Sequence, residues 1–152
     1  MSNILIDTGF WYSYLGTRQD SLQGKAIELY DIFISGNVNN IIIPFPVLYE
    51  TINTKLLKDK NQKAADWFLK KLVSDPKFIR IPDKDYRETA FNSTISTTRK
   101  RGISLVDNIL RAMLADGLLK IDALITFNTG DFCDVCKKQR IQLIDQFYIN
   151  DK

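Results

Sequence analysis

The sequence predicts a three-layer α/β/α fold with a central, mostly parallel sheet, formed by residues 1–152 as a single domain. Two observations predict it. Short apolar runs that suit buried strands alternate along the chain with longer segments of helical periodicity, and no internal repeat or linker interrupts the alternation. Because parallel strands are joined by crossovers, this order favours a sheet covered by helices on both faces.

The first half of the chain is expected to hold two strands. The apolar runs at residues 3–6 and 40–44 predict them, and Gly9 is expected to allow a sharp turn into a short helix at residues 8–16. The next helix, at residues 21–37, has Ser21 as candidate N-cap and Gly36 as stop signal. Its inward residues are expected to be Ala26, Ile27, Tyr30, Phe33 and Ile34. Helices are also predicted at residues 44–59, with proline near the first turn, and 61–75, with an inward face of Ala65, Phe68, Leu69 and Leu72.

The second half continues the alternation. Residues 77–82, 121–127 and 141–145 have the apolar character of short strands. Residues 84–100 are expected to form a helix capped by Asp83, although its Thr and Ser residues weaken the helical propensity. Residues 104–120 form the clearest helix of the chain, with Ser104 as its N-cap and Gly117 near its end.

The chain of 152 residues contains no histidine, and this absence narrows the chemistry available to it. Ser-His-Asp and Cys-His hydrolases are excluded, and so are nucleases that use histidine as acid or base. The formal net charge of +3 suits a nucleic-acid partner. No segment has the length of a membrane span and the first residues do not resemble a signal peptide, so we expect a cytoplasmic protein without a membrane partner.

Four acidic residues stand where they could share one site. Asp7 and Asp131 follow predicted strands, and the carboxyl ends of parallel strands meet in one crevice. Glu50 and Asp107 lie in predicted helices and, by helical spacing, lean toward the apolar face. A buried carboxylate is costly unless it is paired or binds a cation, so Glu50 and Asp107 each indicate an ion pair, a carboxylate of a first helical turn or a cation site. Mg²⁺ and Mn²⁺ prefer such oxygen ligands, held by separate rigid elements.

Four sequence blocks in order resemble those of PIN domains, the metal-dependent ribonucleases that include VapC-like toxins of toxin–antitoxin pairs. The blocks are ILIDTGFW, PFPVLYETIN, ISLVDNILRAML and ITFNTGDF, and together they extend over nearly the whole chain. The resemblance implies a doubly wound α/β/α fold and an endoribonuclease that hydrolyses RNA to a 5′-phosphate and a 3′-hydroxyl. It also implies Mg²⁺ or Mn²⁺ as cofactor, a homodimer and, for a toxin, an antitoxin protein as partner.

Carried over residue by residue, the resemblance assigns catalysis and metal binding to Asp7, Glu50 and Asp107. Many members have an acid where Asn128 stands, so Asp131 is expected to serve as the fourth ligand, directly or through water. The residues expected to support the site by hydrogen bonds are Thr8, Thr126 and Asn128. The exchange of an acid for Asn128 also favours an alternative, a PIN-fold module that binds RNA or protein without catalysis.

Basic and aromatic residues near these acids are candidates for contacts with partners. The expected RNA-binding residues are Arg99, Lys100, Arg101 and Arg111, with Lys55 and Lys58 as weaker candidates. Each could equally lie in a solvated surface. Phe10 and Tyr14 are expected to pack inward, whereas Trp11 or Tyr12 could face RNA or a second subunit.

Three further interpretations are weighed on short motifs. The Asp-Thr-Gly at Asp7 is also found in aspartic proteases, but these need a β-rich chain and two copies, and this chain has one. A haloacid-dehalogenase-type phosphatase would need a second Asp where Gly9 stands. Cys133 and Cys136 form a Cys-x-x-Cys pair, which indicates two ordinary cytosolic thiols, a labile disulfide or half of an intermolecular metal site.

Overall fold

The centre of the protein is a five-stranded, fully parallel β-sheet. The structure is a computed structural model, and it describes residues 2–17, 21–95 and 102–146. Within these residues the strands follow the spatial order β3-β2-β1-β4-β5. Their bounds are Asn3–Ile6 (β1), Asn40–Pro44 (β2), Phe78–Ile81 (β3), Ala123–Ile125 (β4) and Gln142–Ile144 (β5).

Strand β1 lies between the two halves of the sheet, and this position locates the functional crevice. The chain moves outward from β1 to β2 and β3, and then returns to the other side of β1 with β4 and β5. Ile4 of β1 is therefore paired with Ile41 of β2 on one side and Ala123 of β4 on the other. In parallel sheets, the point where the strand order reverses opens a crevice at the carboxyl ends of the strands. That crevice lies at Asp7 and at the residues after Ile125.

Helices cover both faces of the sheet and complete the three-layer α/β/α fold that the sequence predicts. Their bounds are Thr8–Leu15 (α1), Ser21–Glu28 (α2), Ser35–Asn37 (α3), Phe45–Tyr49 (α4), Gln62–Ser74 (α5), Arg87–Ile95 (α6), Leu105–Ala115 (α7) and Cys133–Gln139 (α8). Wider π-helical turns over Leu29–Ile34 and Glu50–Leu57 continue α2 and α4. Short 3₁₀ turns cover Lys84–Tyr86, Gly117–Leu119 and Thr129–Asp131. None of the helices in the described ranges is long and apolar enough to cross a membrane.

The core forms where the apolar strands meet the inner faces of the helices. Ile4, Leu5 and Ile6 of β1 are fully buried, as expected for a central parallel strand that is covered on both faces. Phe10 and Trp11 are also fully buried, and the Trp11 ring lies 5.0 Å from that of Phe68. The expectation that Trp11 could face a partner is therefore wrong, because this ring fills the core below α1.

Two inward-facing assignments change. Ile27 is 42% exposed, because it lies outside the buried face of this stretch, which contains Ala26, Tyr30 and Ile34. Leu69 is also 42% exposed, because the buried stripe of α5 is narrow and follows Ala65, Phe68 and Leu72. Phe33 is partly buried and packs against the core.

Local signals at the element ends are partly confirmed. Ser104 caps α7, because its Oγ accepts from the Asp107 backbone N–H at 3.1 Å. The Asp83 side chain does not cap; instead it forms an ion pair with Arg87 one turn later. Gly9 is not a turn residue: it is the second residue of α1, and none of the described glycines has positive φ.

The predicted boundaries differ most at the ends of elements. The strand predicted at 121–127 is limited to Ala123–Ile125. The helix predicted at 104–120 ends at Ala115, because the Asp116 side chain accepts a hydrogen bond from the Leu118 backbone N–H and starts a separate 3₁₀ turn. The helix predicted at 84–100 consists of a 3₁₀ turn followed by α6. Its last predicted residues, 96–100, lie outside the described part of the chain.

Candidate metal centre

Asp7 lies at the carboxyl end of β1 and caps helix α1. Its Oδ1 accepts from the Thr8 backbone N–H at 2.7 Å, and its Oδ2 accepts from Thr126 Oγ1 at 2.9 Å. The Asp7 backbone N–H donates to Ile125 O at 3.0 Å, which continues the β1–β4 pairing up to this residue. Asp7 is 7% exposed. The sheet and the helix start therefore hold its carboxylate in one orientation.

A chain of hydrogen bonds links Asp7 to Asp131. The Thr126 hydroxyl donates to Asp7 and accepts from the Asn128 backbone N–H at 2.9 Å. The Asn128 side-chain amide in turn donates to Asp131 Oδ2 at 2.6 Å. Thr126 is fully buried and Asp131 is 7% exposed. The segment after β4 thus orients two carboxylates with one hydroxyl and one amide.

Asn128 and Asp131 occupy different roles in this geometry. The Asn128 amide donates to Asp131, so an acid at position 128 would bring a second negative charge to within hydrogen-bonding distance of the Asp131 carboxylate. Thr8 also acts in an unexpected way. Its backbone N–H bonds to Asp7, while its buried hydroxyl makes no hydrogen bond within the described ranges.

Asp107 is half-buried in the first turn of α7. Its pKa is raised to about 6, first by burial and then by the negative charges of Asp7, Asp131 and Glu50, while the hydrogen bond from Ser104 opposes this rise. The pKa of Asp7 is also raised, first by burial and then by the charges of Glu50 and Asp131; its hydrogen bonds with Thr126 and Thr8 oppose that rise. These mutual effects show that the four carboxylates lie in one electrostatic neighbourhood.

Glu50 enters this neighbourhood from the start of the π-helical stretch that follows α4. It is half-buried, and its charge acts on both Asp7 and Asp107. The widened turn was not predicted from the sequence, and we find no signal in the sequence that could have revealed it. Such turns occur often at functional sites.

The chemistry of this donor set suits a hard divalent cation. The four candidates supply carboxylate oxygens from four separate elements, and the charges that shift the pKa values of Asp7 and Asp107 are all negative. Within residues 2–17, 21–95 and 102–146, no three His, Cys, Asp or Glu side chains are already arranged to hold an ion. The carboxylates are therefore close enough to influence one another's pKa, but they do not converge on one coordination point, as expected for groups that repel each other.

The basic residues predicted to bind RNA differ in burial and contacts, and some lie outside the described part of the chain. Arg99, Lys100 and Arg101 lie outside the described residues. Arg111 is largely buried, and its guanidinium bonds to Asp134 and to the Asp131 carbonyl. The Lys55 ammonium lies 5.3 Å from the centre of the Tyr12 ring, and Lys58 is exposed.

The remaining candidates are two tyrosines and two cysteines. Tyr12 and Tyr14 are half-buried, and their hydroxyls donate to Asp59 and Asp31. Cys133 is exposed and Cys136 is buried, and both are free thiols. Burial raises the pKa of the Cys136 thiol to about 11.

Asp134 is a residue near the site that the sequence analysis did not single out. It lies in the first turn of α8 and forms a two-point ion pair with Arg111. The two residues are 23 positions apart, so no helical or strand spacing connects them. Only the packing of α7 against α8 brings them together.

A search of solved structures finds the fold of VapC20 from Mycobacterium tuberculosis, a toxin that cleaves the sarcin–ricin loop. The match has a TM-score of 0.68 and 19% sequence identity, and it covers 86% of this chain and 94% of that one. It confirms the VapC-like PIN fold that the sequence blocks implied. No protein-family model matches the sequence, and a comparison with curated proteins finds no match.

Proposed function

We propose that the protein is a metal-dependent endoribonuclease and the toxin of a toxin–antitoxin pair, acting in the cytoplasm. One observation carries the catalytic part of this proposal. Asp7, Glu50, Asp107 and Asp131 come from four elements, and burial together with the negative charges of the other three raises the pKa of Asp107 to about 6. Without a cation this arrangement is unfavourable, so a role in binding Mg²⁺ or Mn²⁺ gives a reason for it.

The four carboxylates would hold the cation, and the residues that hydrogen-bond to Asp7 and Asp131 would hold these two carboxylates in place. A divalent ion at such a site activates a water molecule and stabilises the negative charge that develops on a phosphodiester. Thr126 and the Thr8 backbone N–H favour the ionised form of Asp7, because both hydrogen bonds lower its pKa against the larger rise caused by burial. The Asn128 amide orients Asp131. In this assignment Asp131 is the fourth ligand and Asn128 its support.

RNA is the proposed substrate, and the products would carry a 5′-phosphate and a 3′-hydroxyl. The fold match to a toxin that cleaves the sarcin–ricin loop makes an RNA stem-loop of that type the first substrate to test. The basic segment Arg99, Lys100 and Arg101 precedes α7, which carries Asp107. We propose that this segment contacts phosphates near the cleaved bond. A homodimer and an antitoxin partner belong to the same proposal.

The test is cleavage of a labelled RNA stem-loop with Mg²⁺, with Mn²⁺ and with EDTA. We expect cleavage with either metal and none with EDTA, and we expect Asp7→Asn to abolish it while the circular-dichroism spectrum stays unchanged. Lys138→Ala, on the exposed face of α8, is the control for an unrelated charge change and should cleave normally. Equal, weak cleavage by wild type and Asp7→Asn would reject the enzyme.

A non-catalytic module that binds RNA or protein is the second candidate. Two observations favour it: Asn128 stands where many PIN domains carry an acid, and the described carboxylates are not already arranged around an ion. This candidate predicts that RNA binds equally well with EDTA and with Mg²⁺ and stays intact in both. The nuclease predicts that intact RNA is lost when Mg²⁺ is added.

A further inference from the structure

Arg111 occupies a position that suits a structural role toward the site better than contact with RNA. It lies on α7 one turn after Asp107, so the same helix carries a proposed metal ligand and this cation. Its side chain is only 13% exposed, whereas that of its partner Asp134 is 62% exposed. A guanidinium that contacts RNA phosphates needs open donors, and this one is directed into the protein.

The guanidinium makes three short hydrogen bonds. Nη1 donates to the Asp131 backbone carbonyl at 2.7 Å and to Asp134 Oδ1 at 2.6 Å, and Nη2 donates to Asp134 Oδ2 at 2.7 Å. The planar fork of arginine suits such two-point contacts, and lysine cannot reproduce them. The bond to the Asp131 carbonyl matters most, because its acceptor is the main chain of a proposed metal ligand.

We propose that Arg111 is a positioning residue that sets the place of the Asp131 carboxylate relative to Asp107. This inference rests on the proposed function, because it assumes that both carboxylates bind the cation. Arg111 joins α7, which carries Asp107, to the 3₁₀ turn that ends at Asp131 and to the first turn of α8, where Asp134 lies. Asp131 thus accepts a hydrogen bond from Arg111 at its main-chain carbonyl and one from the Asn128 amide at its carboxylate.

The experiment is Mn²⁺ binding by calorimetry in the absence of RNA, for wild type and Arg111→Ala. Charge alone predicts tighter binding in the variant, because a positive charge next to a cation site is removed. A positioning role predicts the opposite. We expect Mn²⁺ binding to weaken about 10- to 100-fold, the range found when residues that orient metal ligands are replaced.

Two single variants, one double variant and one control test whether weaker Mn²⁺ binding comes from the geometry of the ion pair. Arg111→Lys keeps the charge but loses the fork, and Asp134→Asn keeps the shape but loses the ion pair, so both should weaken Mn²⁺ binding in the same direction. Because the three groups act as one unit, Arg111→Ala combined with Asp134→Ala should cost no more than Arg111→Ala alone. Lys138→Ala removes one positive charge from exposed α8 and should leave Mn²⁺ binding within about twofold of wild type.

The outcomes separate this inference from the proposed function. If wild type binds Mn²⁺ and Asp7→Asn weakens it, but Arg111→Ala and Arg111→Lys bind as tightly as wild type or more tightly, the inference is overturned and the metal site stands. If wild type binds no Mn²⁺, both are overturned. If circular dichroism shows that Arg111→Ala does not fold, Arg111→Lys decides by the same criterion, because it keeps the charge.

Discussion

Replacement of Thr126 by valine is expected to destabilise the protein, because it removes the hydroxyl that connects the two sides of the site. This hydroxyl donates to Asp7 Oδ2 and accepts from Asn128 N, both at 2.9 Å. Valine has nearly the same volume as threonine, so no cavity contributes. A hydrogen bond to a charged group contributes roughly 1.5–3 kcal/mol, and the Asn128 N–H also loses its acceptor. We expect the free energy of unfolding at pH 7 to fall by about 2–4 kcal/mol.

Thr51→Val is a matched control for the same chemical change. Thr51 is fully buried like Thr126, but its hydroxyl has no hydrogen-bond partner among the described residues. Removal of an unsatisfied buried hydroxyl should leave the stability unchanged or raise it by about 1 kcal/mol. The two variants should therefore differ by about 2–5 kcal/mol.

Urea denaturation followed by circular dichroism measures this difference, and thermal unfolding should show it as about 2–4 °C per kcal/mol for a chain of this size. The Thr126 bond lowers the pKa of Asp7, so its loss raises that pKa further. The cost of Thr126→Val should then be largest at neutral pH and shrink in acid, where Asp7 is protonated in either protein. Equal stabilities of the two valine variants, or a cost independent of pH, would refute the reasoning.

Three further predictions concern pH, backbone and thiols. Because the pKa of Asp107 rises from 3.8 to about 6 on folding, the folded state holds a proton that the unfolded chain releases, and stability should fall as pH rises through this window. Asp107→Asn should make this loss of stability smaller by about 1–2 kcal/mol, after allowance for solvent screening. Urea denaturation at pH 4 and pH 7.5 measures the difference. If the free energy of unfolding changes with pH as much in the variant as in wild type, the prediction is contradicted. Gly9→Ala should stabilise the protein by about 0.5–1 kcal/mol in the same assay, because Gly9 lies inside α1 with open space around an added Cβ. A loss of stability would contradict this prediction. Exposed Cys133 should react with Ellman's reagent in the native protein, and buried Cys136 only after unfolding, so two equally fast thiols would contradict the assigned burial.

The parts of the fold that the sequence predicts are those determined by local pattern. The apolar runs of β1 and β2, the Ser104 cap of α7 and the helix after Pro44 are all found where the sequence indicates them. The placement of Asp7 at a strand end follows from the same run, because a central parallel strand must be apolar until it leaves the sheet.

The parts that the sequence does not predict depend on long-range packing. The sequence leaves open whether Trp11 or Tyr12 faces a partner, and only the packing of Trp11 with Phe68 of α5 decides that its ring is buried. The ion pair between Arg111 and Asp134 could not be predicted for a similar reason. Asp134 lies on another helix, and a basic residue near an acidic site is typical of RNA binding when its contacts are not visible.

Mn²⁺ binding measured by calorimetry, for wild type, Asp7→Asn and Asp107→Asn, tests the central claim most directly. Each substitution removes one negative charge and one oxygen ligand while preserving the shape of the side chain. The account predicts that wild type binds Mn²⁺ and that each variant binds it more than about tenfold more weakly. Unchanged Mn²⁺ binding in both variants would contradict the assignment of these carboxylates as a metal centre.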